Sequence, residues 1–174
     1  MLGPEYDLVR PMIGSWQVQM RTWAKAGAKP VSSPPFRVRR QLIGHFLQEV
    51  MEPIQGTQVA SFTRLSYLNF NNANRRWEYI VLDTRWPAMM FETSKDEAVA
   101  KGNQLSFYLD AFVMPPMMDK EQAGQLARQR RTITMMGPDQ QLMRQYLTLP
   151  AGKEYLAIEY VYKRAKETTS SAKR

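Results

Sequence analysis

The side chains that carry most enzyme chemistry are scarce in this sequence. Its 174 residues include no cysteine and one histidine, His45. The lack of cysteine excludes a thiolate nucleophile, and one imidazole without further nitrogen or sulfur ligands does not supply a zinc site. The carboxylates lack the regular spacing of a calcium-binding loop. We therefore expect no catalytic residues and no metal site.

His45 is the only imidazole that could bind a haem iron. It follows Gly44, and a histidine beside a glycine is more often partly buried and hydrogen-bonded than bound to a metal. We expect no cofactor, and haem binding through His45 is the less favoured interpretation.

Arg40 is the strongest candidate for an interior charge. It shares the parity of Phe36 and Val38, so an alternating strand turns its guanidinium inward. A guanidinium keeps its charge, and a buried one needs a carboxylate or phosphate partner. We expect Arg40 to bind the acidic head of an amphipathic ligand such as a fatty acid. The alternative is that Arg40 pairs with another interior acid or reaches solvent.

Four tyrosines could complete this site by holding an apolar tail and donating hydroxyl hydrogen bonds to the head. They are Tyr67, Tyr108, Tyr146 and Tyr160. Glu159 has the opposite parity to Leu156 and Ile158, which are expected to face inward. Glu159 is therefore expected to point outward and to leave Arg40 without its carboxylate.

These residues lie on short segments with the alternation of β-strands. Trp16, Val18 and Met20 alternate with polar residues and are expected to face inward. Further segments predict strands, with turn residues between them, at 36–51 (one strand kinked at Gly44, or two), 59–70, 75–83, 89–92, 105–109, 129–136, 141–149 and 155–164. This regular spacing predicts an antiparallel meander.

One segment, residues 114–129, departs from the strand pattern. Pro115 and Pro116 end the preceding strand, and Asp119 with Gln122 resembles a capping box, which predicts a short helix between the later strands. Methionines in this region suit an adaptable apolar surface. We expect a cover over the barrel end away from Trp16, or a contact in a homodimer.

The start of the chain carries a resemblance to a known group of proteins. An apolar lead-in from Leu8 ends in Gly14, Ser15 and Trp16, and strands follow to the C-terminus. This resembles the calycins, which include lipocalins and fatty-acid-binding proteins. Three further features are Trp23, an arginine-rich second strand at 37–42, and an asparagine-rich turn at 69–72 before the aromatic strand with Trp77 and Tyr79. With them the chain resembles a bacterial lipocalin-like family known as domain of unknown function 1579.

The resemblance implies an all-β fold, an antiparallel up-and-down lipocalin-like barrel. Trp16 would then close one end of the barrel. In lipocalins a basic residue late in the chain lies across the corresponding tryptophan, and Arg164 is the position that resembles it. Trp16 and Arg164 are therefore expected to form a structural pair.

Composition limits the organisation of the chain. With 44% hydrophobic residues, the length fits one domain, over residues 1–165, and a basic tail over 166–174 is expected to be disordered. The net charge of +8 is spread over separate elements and accompanies no nucleic-acid-binding motif, so we expect solvated faces and no specific nucleic acid.

No segment of the sequence predicts a transmembrane span or a signal peptide. We expect a soluble protein, cytoplasmic as given or periplasmic if a signal has been removed.

The favoured function is binding of a small apolar or amphipathic molecule, which could carry a carboxylate, inside the barrel. The alternatives are an enzyme acting on such a molecule in the same interior, or a structural protein whose barrel is filled. The small number of side chains that could act as a general acid or base favours binding over catalysis.

Overall fold

The computed structural model describes residues 2–57, 59–95, 102–114, 121–150 and 152–166. These residues form two short 3-10 helices, Pro4–Leu8 and Arg10–Met12, and eleven strands. The strands are β1 (Gly14–Thr22), β2 (Val31–Ser32), β3 (Phe36–Ile43), β4 (Phe46–Pro53), β5 (Arg64–Asn71), β6 (Arg76–Asp83), β7 (Trp86–Thr93), β8 (Gln104–Val113), β9 (Leu126–Gly137), β10 (Gln140–Thr148) and β11 (Tyr155–Arg164).

Ten of these strands close an antiparallel barrel. From β3 to β11 each strand pairs with the next along the chain, β1 pairs with β3, and β11 pairs back with β1. The short β2 pairs with the end of β1 and lies outside the ring. The predicted all-β, up-and-down antiparallel barrel is confirmed.

Alternation decides which side chains fill the barrel. In β3, Phe36, Val38 and Arg40 are buried, while Arg37 and Arg39 between them are exposed. Because successive side chains of a strand point to opposite faces, this pattern gives one interior face and one solvated face. The same pattern in the other strands builds a core that continues around the ring.

The N-terminal helices cover the barrel end at which β1 begins. The Trp16 ring is buried there, and its Nε1 donates a hydrogen bond to the Met12 carbonyl at 2.8 Å. The Tyr6 ring lies 5.5 Å from the Trp77 ring, and the Tyr6 hydroxyl donates to the His45 carbonyl at 2.7 Å. This end is therefore packed with aromatic side chains.

Gly14 is required at the entry to β1 for two reasons. Its φ of +117° is rarely adopted by other residues. A Cβ atom at this position would also lie 3.0 Å from Nη1 of Arg164, which donates a hydrogen bond to the Ile13 carbonyl at 3.0 Å. A larger residue would displace the guanidinium.

The turns at this end follow from local chemistry. Gly44, with a φ of +59°, and His45 form a two-residue turn, so 36–51 is two strands rather than one kinked strand. Between β5 and β6, the Asn71 side chain accepts hydrogen bonds from the backbone N–H groups of Ala73 and Asn74 at 3.0 and 3.1 Å. The predicted asparagine turn is present.

The helix expected between the later strands is not found in the part of residues 114–129 that the structure describes. Residues 121–124 form turns, and β9 already begins at Leu126. The Met114 N–H donates to the Gln125 carbonyl at 2.8 Å, so strand-like pairing of the two chain ends replaces helical hydrogen bonds. Residues 115–120, which hold the expected helix start, lie outside the described residues. So do residues 167–174 of the expected tail.

Within the described ranges, neither helix has the length and apolar character needed to cross a membrane.

Candidate ligand-binding cavity

A cavity of about 470 Å³ lies at the barrel end opposite Trp16. Its walls are mostly apolar and include Met20, Val81, Met90, Leu147 and Ile158 from five different strands. Trp23 and Trp86 lie near the rim. The volume falls in the usual range for small-molecule sites, about 300–1,000 Å³. This end of the barrel is therefore open where the other end is packed.

The inner end of the cavity is polar. Arg64, Arg131, Gln145 and Tyr160 contribute to its lining, and each is almost fully buried. The Arg64 guanidinium carbon lies 5.6 Å from the centre of the Tyr160 ring. A molecule that entered from the open end would pass apolar side chains and meet guanidinium groups at the bottom.

Glu49 bridges two of the interior arginines. One carboxylate oxygen accepts from Nε of Arg40 at 2.7 Å, and the other accepts from Nη1 of Arg64 at 2.8 Å. Burial raises the pKa of Glu49. The charges of Arg40 and Arg64 lower it by more than burial raises it, so the pKa of Glu49 lies below its usual value. Glu49 is therefore a carboxylate that serves two cations at once.

A second carboxylate, Glu92, serves one arginine. Arg131 donates to Glu92 through Nε and Nη2, at 2.9 and 2.7 Å, in a bidentate pair. Gln129 also donates to Glu92 at 2.8 Å and accepts from Gln145 on the cavity wall. The remaining Nη1 of Arg131 faces the sulfur of Met143 at 3.4 Å, which is a weak acceptor.

The buried interior carries one positive charge more than its carboxylates compensate. Among the described side chains facing the interior, the fully buried charged groups are Arg40, Glu49, Arg64, Glu92 and Arg131. Asp83 and Arg85, which also line the cavity and are more exposed, pair with each other and cancel in this count. Three guanidiniums against two carboxylates leave a surplus of one. The surplus lies on the pair of Arg40 and Arg64, which share Glu49, and only Arg64 of these two lines the cavity.

Arg40 faces the interior, as its parity predicted, but it lies deeper than the cavity. Its guanidinium carbon is 4.3 Å from the Tyr162 ring centre, and Nη1 donates to Gln141 Oε1 at 2.6 Å. With Glu49 as its acid, Arg40 matches the alternative of an interior ion pair and does not form part of the cavity lining.

Only one of the four expected tyrosines, Tyr160, lies in the cavity. The Tyr67 hydroxyl accepts from Gln48, Tyr108 packs against Lys95, and Tyr146 packs against Arg130. These three tyrosines lie in β5, β8 and β10, and in each strand the residues on either side of the tyrosine have the inward parity instead. The expectation that Tyr67, Tyr108 and Tyr146 surround an interior ligand is therefore wrong, because they lie on the outer face.

Trp16 and Arg164 are register partners in β1 and β11, and the Arg164 guanidinium carbon lies 4.3 Å from the Trp16 ring centre. Arg164 also donates to the carbonyls of Pro11 and Pro138, at 2.6 and 2.8 Å. The pair lies at the packed end, where it connects the N-terminal helices to the turn between β9 and β10.

Glu159 is directed away from the interior, yet it is buried. It pairs with Arg21 and with Arg144, the latter at 2.7 Å. Both arginines are close to half exposed, with 44% and 42% of their side chains accessible. His45 lies in the exposed turn after β3, and the described part of the cavity lining includes no residue of β3 or β4.

The sequence interpretation missed Arg64, Glu49, Glu92 and Arg131. A signal for Arg131 was present, because it alternates with Ile133 and Met135 on the inward parity of β9. Arg64 similarly alternates with Leu68 and Phe70. The expectation of solvated basic faces took no account of this parity, since interior positions are usually apolar.

The fold and cavity define a ten-stranded antiparallel β-barrel with a charged interior and one open end. The chain belongs to the family described as protein of unknown function (DUF1579), whose model matches residues 2–164. The expected relationship to lipocalins and other calycins stays a prediction.

Among solved structures, the chain is similar to the crystal structure of Rv2717c from M. tuberculosis. The TM-score is 0.61 at 13% sequence identity, and the match covers 95% of this chain and 100% of that chain. At this identity the likeness shows the fold alone. A search among curated proteins gave no match.

Proposed function

We propose that the protein binds a small amphipathic molecule with a single negative charge, and that its head group contacts Arg64 at the inner end of the cavity. The observation that carries this proposal is the uncompensated guanidinium charge at the bottom of an apolar cavity. A buried cation without a full counter-charge is unfavourable, and an anionic ligand would supply the missing charge. The apolar tail would then lie along the walls formed by Met20, Met90 and Ile158.

The partners of the two lining arginines favour Arg64 over Arg131 as the main anchor. Arg131 has its own bidentate carboxylate in Glu92. Arg64 shares Glu49 with Arg40, and its Nη2 donates to the neutral Tyr79 hydroxyl at 3.2 Å. A carboxylate, sulfate or phosphodiester head suits this position, and a fatty acid is the simplest probe.

Replacement of Arg64 by methionine tests the proposal. The variant keeps Glu49 paired with Arg40, so the interior becomes neutral and the fold is expected to persist. Oleate should bind the wild-type protein saturably, and Arg64→Met should weaken binding about 10-fold to 100-fold, the equivalent of one charge-assisted hydrogen bond of about 1.5–3 kcal/mol. Binding is followed by tryptophan fluorescence, since Trp23 and Trp86 line the cavity.

Arg37→Met is the matched control, since Arg37 lies on the outer face of β3 with 65% of its side chain exposed. This variant should bind oleate as the wild type does. Equal affinities of wild type and Arg64→Met would show that Arg64 does not hold the head group.

A further inference from the structure

The ring of strands has one weak seam, between β7 and β8. Within the described residues these strands share a single register pair, Thr93 with Tyr108. On either side of the seam the pairing is extensive, since β6 pairs with β7 from Thr93 to Trp86 and β8 pairs with β9 along most of its length. From Thr93 toward the open end, β7 and β8 therefore lack the backbone ladder that joins the other strands.

Side chains bridge this seam in place of backbone hydrogen bonds. Near the open end, the rings of Trp86 and Phe112 lie 6.4 Å apart, centre to centre. Pro87, next to Trp86, has no backbone N–H to donate, and proline is typical of strand edges rather than continuous ladders. Glu92, next to Thr93, also bridges the seam through its buried pair with Arg131 of β9. On the open-end side of that pair, parting the two strands costs side-chain contacts but few backbone hydrogen bonds.

Both faces of β7 are apolar along the seam. Met90 lines the cavity, whereas Met89 and Phe91 on either side of it point outward and are 70% and 49% exposed. A strand with one solvated face normally carries polar residues on that face. Exposed apolar side chains beside an unpaired edge offer an apolar path from the outer surface to the cavity wall.

We propose that the barrel opens between β7 and β8 to admit the ligand from the side, so that the tail passes from Met89 and Phe91 to Met90 and into the cavity. The proposal rests on the proposed function in that the cavity must take up an apolar molecule. It adds the route and makes seam opening the step that limits the rates of binding and release.

A reversible block of the seam can be built because the chain has no cysteine of its own. Phe91 and Asp110 each lie two residues beyond the Thr93–Tyr108 pair in the direction of the open end, and both side chains are exposed. The double variant Phe91→Cys and Asp110→Cys can be joined by a short bifunctional maleimide. The control is Gln17→Cys with Lys163→Cys, an exposed register pair between the fully paired β1 and β11.

Oleate association and dissociation are measured by stopped-flow tryptophan fluorescence, before and after cross-linking. Cross-linking of the β7 and β8 seam should slow both rate constants by about tenfold or more while the equilibrium constant changes little, because both directions use the same gate. The β1 and β11 cross-link should leave both rates unchanged. Equal rates in the cross-linked and free forms of the seam variant would overturn the proposal.

Hydrogen exchange of the ligand-free protein gives a second result that does not depend on oleate. Backbone amides in 86–93 and 109–113 should exchange faster than those of β6, which is paired on both sides. Protection of the seam equal to that of β6 would also overturn the proposal. If oleate binds none of the forms, the proposed function fails, and hydrogen exchange still decides whether the seam opens.

Discussion

Glu49→Gln is expected to lower the free energy of unfolding by about 3–5 kcal/mol, since removal of one partner from a buried ion pair leaves uncompensated charge. The loss should be at the upper end of this range because Glu49 serves both Arg40 and Arg64, and all three side chains are about 95% buried. Neither arginine can discard its proton to relieve the imbalance. Urea denaturation followed by tryptophan fluorescence measures the change.

Glu159→Gln is the matched control for this prediction. Glu159 is also a buried glutamate between two arginines, but Arg21 and Arg144 are close to half exposed and can be solvated when the carboxylate is removed. Its loss should therefore cost about 1 kcal/mol or less. Equal losses of unfolding free energy in the two glutamine variants would show that burial of the partner arginines does not determine the cost of removing the carboxylate.

The pH dependence of the Glu49 contribution has a definite sign. The folded-state pKa of Glu49 lies below its usual value, so its contribution is complete above the unfolded pKa of about 4.3 and is lost as the pH falls through the folded value. The difference in stability between wild type and Glu49→Gln should be largest near neutral pH and should shrink in acid. A difference that grew in acid would contradict the assigned ion pairs.

Glu92→Leu is expected to cost a similar amount, about 3–5 kcal/mol, because it isolates the Arg131 guanidinium in the core. Here a second change should repair the first. Glu92 and Arg131 form a one-to-one pair, with 0% and 2% of their side chains exposed. The double variant Glu92→Leu with Arg131→Met removes both charges and should recover most of the lost stability, since apolar replacement of a buried pair is often neutral.

Thermal or urea unfolding of the wild type, both single variants and the double variant completes the cycle. Gln129 loses a hydrogen-bond acceptor in each Glu92 variant, which limits the recovery. A double variant as unstable as Glu92→Leu alone would show that the pair is not the main interaction of either residue. Glu49 admits no such simple repair, since removal of one of its two arginines leaves the other without a carboxylate.

Strand alternation predicted the antiparallel meander and the inward direction of Arg40, whereas closure into a barrel was implied by the family resemblance. It failed for Tyr67 because β5 carries apolar residues on both parities: Leu65 and Tyr67 face outward, while Leu68 and Phe70 face inward. In β10 the interior positions include Gln141 and Gln145, so polarity gave no reason to place Tyr146 outside. An interior rich in polar residues reverses the usual sequence pattern.

The pairing of the interior charges could not be predicted from the sequence. Glu92 meets Arg131 across the seam between β7 and β8, and Arg40 of β3 meets Gln141 of β10, three strands away around the ring. Such contacts depend on the stagger of the whole barrel, which alternation within one strand does not fix. The part of the predicted short helix that the structure describes, from residue 121 onward, forms turns and the start of β9 instead, because Met114 and Gln125 pair through their backbones.

A comparison of oleate with oleyl alcohol tests the central claim most directly, since the two molecules share a tail and differ in the charge of the head. The surplus charge at Arg64 predicts that the wild-type protein binds oleate about tenfold or more tightly than the alcohol, the equivalent of about 1.4 kcal/mol or more. Competition titrations at neutral pH measure the ratio. Equal affinities, or tighter binding of the alcohol, would show that the cavity recognises the tail alone and would contradict the role given to the interior arginines.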